Sequence, residues 1–211
     1  MNTMKNSKKV WYAPNKLEAY GEREIKAVEQ CLRDGWLAGF GPRSIEFEEK
    51  IAKEFGKKYG VFVNSGSSAC LLALAALNLP KGCKIITPAL TFSTTLAPII
   101  QLGFIPIFVD SNLTSYVPTV KDMLDVITID TKAIMVPNLI GNKPDFVALK
   151  AGLKTLNRTD IIVIEDSADT VTYTKESDVS TTSFYASHVI TAGGMGGMVM
   201  FNDKEQVKRA L

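Results

Sequence analysis

The sequence is poor in the side chains that usually bind metals or form disulfides. It contains one histidine, His188, and three widely spaced cysteines, Cys31, Cys70 and Cys83. This spacing matches no metal motif and no disulfide framework, so it predicts free thiols, a reducing compartment and no metal site. The net charge is only +2 and the charges are dispersed, which argues against nucleic acid or an anionic membrane as a partner.

Long apolar segments are also missing. The longest apolar run, Ala69 to Leu79, is interrupted by Asn78 and is too short to span a bilayer. The first residues include Lys and Asn and lack the apolar core of a signal peptide. Because the chain is nevertheless 46% hydrophobic and 22% charged, it is typical of a globular protein with a real core. We therefore expect a soluble, cytoplasmic protein.

Short apolar runs alternate with amphipathic segments along most of the chain. Strands are predicted at 61–63, 84–87, 105–109, 133–136, 161–164, 184–185 and 199–201. Helices are predicted at 17–34, around 47–55, and at 69–79, 94–102, 119–127, 146–156 and 204–211. This order predicts an α/β fold with a mainly parallel sheet of about seven strands and helices on both faces. Residues 1–16 are expected to form an N-terminal arm and residues 17–211 one large domain.

A glycine- and serine-rich segment lies between the first strand and a buried helix. It consists of Gly66, Ser67 and Ser68, within N-S-G-S-S-A. Backbone N–H groups at a helix N-terminus, together with two hydroxyls, suit a phosphate group. The same residues equally suit an N-cap with a tight turn, in this case Asn64–Ser68.

Three further residues have chemistry that a ring-shaped, phosphorylated ligand could use. Asp166 follows a buried strand, where a carboxylate needs a partner such as a pyridinium nitrogen, although it could instead cap the next segment. Phe92 could stack on a flat ring or belong to the core. Ser183 could donate a second hydroxyl to a phosphate or simply end a strand. It opens the stretch S-F-Y-A-S-H-V-I-T-A-G-G-M-G-G-M, which contains His188.

Five motifs in this order resemble the DegT family, which comprises fold type I pyridoxal-phosphate enzymes acting on nucleotide-linked keto sugars. They are G-W-L-A-G-F-G-P, N-S-G-S-S-A, T-P-A-L-T-F, I-E-D-S-A-D and S-F-Y-A-S-H…G-G-M, and the match runs from about Leu17 to the end. The resemblance implies that Gly66, Ser67 and Ser183 hold the cofactor phosphate. It also implies that Phe92 stacks on the ring and that Asp166 pairs with its nitrogen.

Two residues depart from the pattern of most family members. His188 stands where the aminotransferases have lysine, and Asp169 where they have glutamine, a combination that resembles the 3-dehydratase branch. An imidazole forms no stable Schiff base with the cofactor aldehyde, but it can move a proton near neutral pH. This suggests pyridoxamine phosphate bound non-covalently, His188 as the base, and Asp169 either sharing a proton with the cofactor or orienting the imidazole. An aminotransferase and a non-catalytic cofactor-binding domain are the alternatives.

The resemblance also carries expectations about the rest of the enzyme. It implies a homodimer, glutamate as the amino donor that regenerates pyridoxamine phosphate, and a small C-terminal domain. The chain ends at Leu211 in a predicted helix, so we expect that C-terminal domain to be missing from it.

Overall fold

A computed structural model describes residues 20–35 and 41–211. The predicted N-terminal arm, residues 1–16, lies outside the described residues, as do residues 36–40 of the motif G-W-L-A-G-F-G-P. The chain divides into two compact units, Met1–Gly41 and Pro42–Leu211.

The first unit contains helix α1, Glu22–Asp34. Gly21 is its N-cap, and the Gly21 N–H donates to Oε2 of Glu24 over 2.7 Å. At the other end, Gly35 adopts a left-handed conformation with φ 76°. Glycine reaches this conformation without a steric penalty, so Gly35 ends the helix as the sequence predicts.

The second unit is built on a seven-stranded sheet, which confirms the predicted fold class. Its strands are β1 Tyr59–Val63, β2 Lys84–Pro88, β3 Ile105–Val109, β4 Thr131–Pro137, β5 Ile162–Asp166, β6 Val179–Ser183 and β7 Gly197–Phe201. Their spatial order is β1-β7-β6-β5-β4-β2-β3. Strand β7 runs in the opposite direction to the other six strands, so the carboxyl ends of those six lie along one edge.

Helices cover both faces of this sheet. They are α2 Pro42–Glu54, α3 Gly66–Ala75, α4 Ser93–Gln101, α5 Val120–Asp125, α6 Phe146–Thr155 and α7 Lys204–Ala210, with a 3₁₀ turn at Leu139–Gly141. Residues of α3, α4 and α7 pack on one face, and residues of α2, α5 and α6 pack on the other. The sheet is therefore the middle of three layers, as the repeated β-then-α pattern predicts.

Side chains of β5 alternate between these two faces. Ile164 packs with α3 and α4, whereas Val163 packs with α5 and α6. Successive residues of a strand point to opposite faces. Asp166 therefore lies on the same face as Ile164, and Glu165 lies on the same face as Val163. Two adjacent carboxyl groups thus enter different layers of the protein.

The predicted strand at residues 184–185 is wrong. The sixth strand is β6, Val179–Ser183, whose sequence V-S-T-T-S is almost entirely polar. All five of its residues are buried. Its hydroxyl groups tolerate burial because they donate hydrogen bonds to neighbouring groups. For example, Ser180 donates to Glu165, and Thr182 donates to the carbonyl oxygen of Ser167. A pattern search for apolar residues cannot find such a strand.

The predicted turn at Asn64–Ser68 is also shorter than expected. Helix α3 begins at Gly66, because Oγ of Ser65 accepts the N–H of Ser68 over 3.1 Å and caps the helix. Gly66, Ser67 and Ser68 therefore form the first turn of the helix.

Within residues 20–35 and 41–211, no helix combines the length and the apolar composition that crossing a membrane requires.

Candidate active site

Gly66 and Ser183 are brought together where strands β1 and β6 end. A Cβ atom added to Gly66 would lie only 2.7 Å from the Cβ of Ser183, so no larger residue fits at position 66 without movement. Ser183 is the last residue of β6 and is only 6% exposed. Its Oγ also accepts the backbone N–H of Tyr185 over 3.3 Å. The structure thus brings together two of the residues for which the sequence predicts a role in phosphate binding.

The first turn of α3 leaves donor groups available beside this contact. Ser67 is exposed, and Ser68 is partly buried with its Oγ accepting the hydroxyl of Ser65 over 3.1 Å. The first backbone N–H groups of a helix have no partner within the helix and attract anions. The capping role that the sequence left open falls to Ser65, and Ser67 is exposed at the helix N-terminus.

Asp166 is almost completely buried on the α3 and α4 side of the sheet, with 7% exposure. Its Oδ2 accepts the hydroxyl of Thr95 over 2.8 Å and the thiol of Cys70 over 3.5 Å. Its Oδ1 accepts the hydroxyl of Thr181 over 3.3 Å. Burial raises the pKa of Asp166, and these donors oppose that rise because they stabilise the charged carboxylate.

No cation accompanies Asp166 within the part of the chain that the structure describes: its ion pairs include none with this carboxylate. A buried carboxylate without a charged partner is costly. A protonated pyridine nitrogen would supply the missing positive charge. The donor set around Asp166 therefore fits the ring of a pyridoxal or pyridoxamine cofactor.

Asp169 and His188 approach each other from two different loops. The Nε2 atom of His188 lies 4.0 Å from Oδ1 of Asp169, which is ion-pair distance but beyond a direct hydrogen bond. The His188 side chain is 23% exposed and that of Asp169 is 44% exposed. Among the described residues, Nδ1 of His188 is buried without a hydrogen-bond partner. The imidazole therefore has a carboxylate near one nitrogen, and none of the residues that the structure describes hydrogen-bonds to the other.

A strained backbone segment orients Asp169. Its Oδ2 accepts the backbone N–H of Ile140 over 3.3 Å. Ile140 has φ 54°, a left-handed conformation that is unfavourable for a β-branched residue. Such strain is maintained only where the surrounding structure requires it, and it concentrates at functional sites.

Phe92 is 69% exposed and forms the N-cap position of α4. The alternative in which Phe92 belongs to the core is therefore wrong. An exposed aromatic ring before the first turn of a helix remains free to contact a ligand.

Sequence reasoning missed the residues that support Asp166. Thr95, Cys70 and Thr181 come from α4, α3 and β6, so no local pattern unites them. One signal was accessible: Thr181 pairs with Asp166 in the sheet register, and a threonine-rich segment follows the acidic end of β5. Recognising Val179–Ser183 as a strand would have placed a hydroxyl beside the carboxylate.

Comparison with known proteins gives this site a family context. The DegT/DnrJ/EryC1/StrS aminotransferase family matches residues 18–211. GDP-4-keto-6-deoxy-D-mannose 3-dehydratase of Escherichia coli O55:H7 is 34% identical over 200 residues, covering 88% of this chain and 50% of that protein. GDP-perosamine synthase of Escherichia coli O157:H7 is 35% identical over 196 residues, covering 90% of this chain and 53% of that protein.

Solved structures agree with the fold and with the cofactor expectation. The E. coli GDP-4-keto-6-deoxy-D-mannose-3-dehydratase with bound hydrated PLP has a TM-score of 0.81 at 31% identity, over 92% of this chain and 51% of that one. A GDP-4-keto-6-deoxymannose-3-dehydratase with a trapped PLP-glutamate geminal diamine has a TM-score of 0.84 at 30% identity, over 96% and 54% of the two chains. A Bacillus subtilis neighbour with bound PMP has a TM-score of 0.84 at 26% identity, over 99% and 48%.

The chain spans about half the length of the curated relatives it matches. The match nevertheless covers nearly all of this sequence, including the segments that contain Gly66, Asp166 and His188. The chain belongs to the DegT/DnrJ/EryC1/StrS aminotransferase family.

Proposed function

We propose that this chain forms the cofactor-binding domain of a pyridoxamine-phosphate-dependent 3-dehydratase that acts on a nucleotide-linked 4-keto-6-deoxy sugar. The observation that carries the proposal is the pairing of His188 with Asp169 at 4.0 Å. The relative and the structural neighbours that are 3-dehydratases support the same reaction class.

We propose that the predicted site residues form a cofactor cleft and divide the task of holding the cofactor. Gly66, Ser67, Ser68 and Ser183 would bind its phosphate, Phe92 would cover its ring, and Asp166 would pair with its ring nitrogen. Pyridoxamine phosphate, when bound, would supply an amine and an electron-withdrawing ring. Asp166 would favour the protonated ring because its buried charge needs a cation.

His188 would accept and return a proton at Nε2, the nitrogen that faces Asp169. Asp169 has its Oδ2 bound to the Ile140 N–H, which leaves Oδ1 toward the imidazole. A carboxylate in that place stabilises the protonated imidazole by charge attraction. Asp169 could also contact the cofactor directly, so it belongs to both the catalytic and the binding set.

An aminotransferase is the second candidate, because GDP-perosamine synthase is similarly related at 35% identity. Labelled glutamate separates the two reactions in the complete protein. With [¹⁵N]glutamate and a GDP-linked 4-keto-6-deoxy sugar, a dehydratase replaces the C3 hydroxyl by hydrogen and releases labelled ammonia. An aminotransferase instead places the label on C4 of the sugar. A labelled amino sugar as the main product would overturn the dehydratase proposal.

The role of His188 has its own test in the same assay. His188→Asn should lose on the order of 10²–10⁴-fold in the rate of ammonia release, the usual contribution of a positioned base. Its affinity for pyridoxal phosphate should stay near that of the parent, because the phosphate and ring contacts lie elsewhere. A variant that releases ammonia as fast as the parent would show that His188 is not the base.

We also infer that the complete protein acts in the cytoplasm as a homodimer with glutamate as amino donor. The trapped PLP-glutamate in a structural neighbour supports the donor. Light scattering of the complete protein tests the assembly, and a monodisperse monomer would contradict it.

A further inference from the structure

Thr95 makes the shortest hydrogen bond to the buried carboxylate of Asp166. It lies in the first turn of α4, is 0% exposed, and its hydroxyl donates to Oδ2 over 2.8 Å. Phe92 is the N-cap that precedes this turn, and its carbonyl oxygen accepts the Thr95 N–H over 3.0 Å. The start of α4 thus links the backbone of Phe92 to the residue that donates to Asp166.

The other two donors to Asp166 are weaker. Cys70 offers a thiol, a poor hydrogen-bond donor, at 3.5 Å. Thr181 donates at 3.3 Å, beyond the usual range for O–H···O bonds. Among these three side chains, Thr95 therefore gives the charged carboxylate the most stabilisation, and a backbone hydrogen bond from Ala168 adds to it. The Cys70 thiol remains protonated, since burial raises its pKa well above the usual range.

We propose that Thr95 is a positioning residue whose hydroxyl keeps the Asp166 carboxylate charged and aligned for the cofactor's ring nitrogen. This inference rests on the proposed function, in which Asp166 pairs with that nitrogen. Without the Thr95 hydroxyl, burial would favour the neutral acid, and a neutral acid would not stabilise a protonated ring.

The test compares Thr95→Val, which keeps the shape but removes the hydroxyl, with Thr95→Ser, which keeps the hydroxyl. One readout is the ¹³C NMR titration of the Asp166 carboxyl in the cofactor-free chain, assigned with Asp166→Asn. The other is the affinity for pyridoxal phosphate, followed by absorbance. Thr95→Val should raise the pKa of Asp166 and weaken cofactor binding about tenfold, the worth of one hydrogen bond to a charged group. Thr95→Ser should restore both.

Thr131→Val is a matched control at the opposite edge of the sheet. Thr131 is also 0% exposed, and its hydroxyl oxygen accepts the N–H of Thr128 over 3.0 Å. This variant loses a buried threonine hydrogen bond of similar quality, so it should lose stability without changing either readout. If Thr95→Val does not fold, Thr95→Ala provides the same comparison with Thr95→Ser.

Two results would overturn the inference: an Asp166 titration in Thr95→Val that matches the parent, or a failure of Thr95→Ser to restore it. Asp166→Asn separates this outcome from failure of the proposed function. If Asp166→Asn weakens cofactor binding and Thr95→Val does not, only the inference about Thr95 fails. If Asp166→Asn binds the cofactor like the parent, the assignment of Asp166 fails as well.

Discussion

Two adjacent carboxyl groups, Glu165 and Asp166, occupy opposite faces of the same strand in very different surroundings. Glu165 is 0% exposed and accepts four side-chain hydrogen bonds between 2.7 and 3.0 Å. Its donors are Asn138, Thr174, Ser177 and Ser180. Asp166 accepts one short bond and two long ones.

Nearby charge also differs between the two faces. The ammonium group of Lys57, only 5% exposed, donates to the carbonyl oxygens of Thr174 and Phe55 on the Glu165 side. Burial lowers the pKa of Lys57 to about 8, and the charge of Glu165 opposes this fall. On that side, hydrogen bonds and opposite charge are provided within the protein, which is what stability requires. On the Asp166 side, none of the described residues forms an ion pair with the carboxylate, and a cationic ligand would supply the positive charge.

The largest effect that this comparison predicts is on stability at Glu165. Glu165→Ala removes the acceptor shared by four buried donors, so the free energy of unfolding should fall by about 3 kcal/mol. Glu165→Gln should lose less, because an amide can replace one oxygen while the serine hydroxyls accept from it. Urea unfolding measures both variants. Equal losses for Ala and Gln would show that the hydrogen-bond network is not what Glu165 contributes.

Asp166→Asn should affect cofactor binding and not lower stability. Its affinity for pyridoxal phosphate should fall on the order of 30-fold, or about 2 kcal/mol, because the charged partner of the ring nitrogen is lost. Its free energy of unfolding at neutral pH should not fall, since the substitution removes a buried charge that has no cation among the described residues. A binding titration and a urea series on the same preparation check both expectations.

The pH dependence of stability sharpens this prediction. An aspartate in the unfolded chain loses its proton near pH 4, whereas burial raises the pKa of Asp166 in the fold. The stability contributed by the protonated form is therefore complete below about pH 4 and is lost as the pH rises through the folded-state pKa. The stability difference between Asp166→Asn and the parent should grow in favour of the variant over that window. A difference that does not change with pH would contradict the burial argument.

The smallest effect is expected at the phosphate end of the cleft. Ser67→Ala removes one exposed hydroxyl, so cofactor binding should weaken by roughly 1–2 kcal/mol, the scale of a charge-assisted hydrogen bond. Ser65→Ala is the contrasting variant. It removes the helix cap that accepts the Ser68 N–H and should lower stability by about 1 kcal/mol. Unchanged affinity in Ser67→Ala would count against a phosphate at this turn.

The sequence predicted those parts of the fold that depend on apolar patterns. Strands such as β4, Thr131–Pro137, and helices such as α6, Phe146–Thr155, are recognisable because their own residues bury an apolar surface. Strand β6 was not predicted, since its buried hydroxyls are satisfied by groups on β5 that lie nearby only after folding. Local patterns cannot encode partners that come from another element.

The candidate site also combines residues that local motifs reveal with residues that only the folded structure reveals. Gly66, Asp166 and His188 stand in short motifs that the sequence displays directly. Thr95 and the strained Ile140 act through contacts with residues 71 and 29 positions away, so they became visible only in three dimensions. Sequence motifs therefore reveal the residues proposed to contact the cofactor, but they do not reveal the residues that position them.

Reduction with borohydride tests the central claim, that this cleft binds its cofactor without a covalent bond because His188 replaces a lysine. The 211-residue chain and its His188→Lys variant are each loaded with pyridoxal phosphate, reduced, and examined by intact mass and peptide mapping. The account predicts no stable adduct on a cleft lysine of the parent and one adduct on the introduced lysine of the variant. A stable adduct on a cleft lysine of the parent, or none at position 188 in the variant, would contradict it.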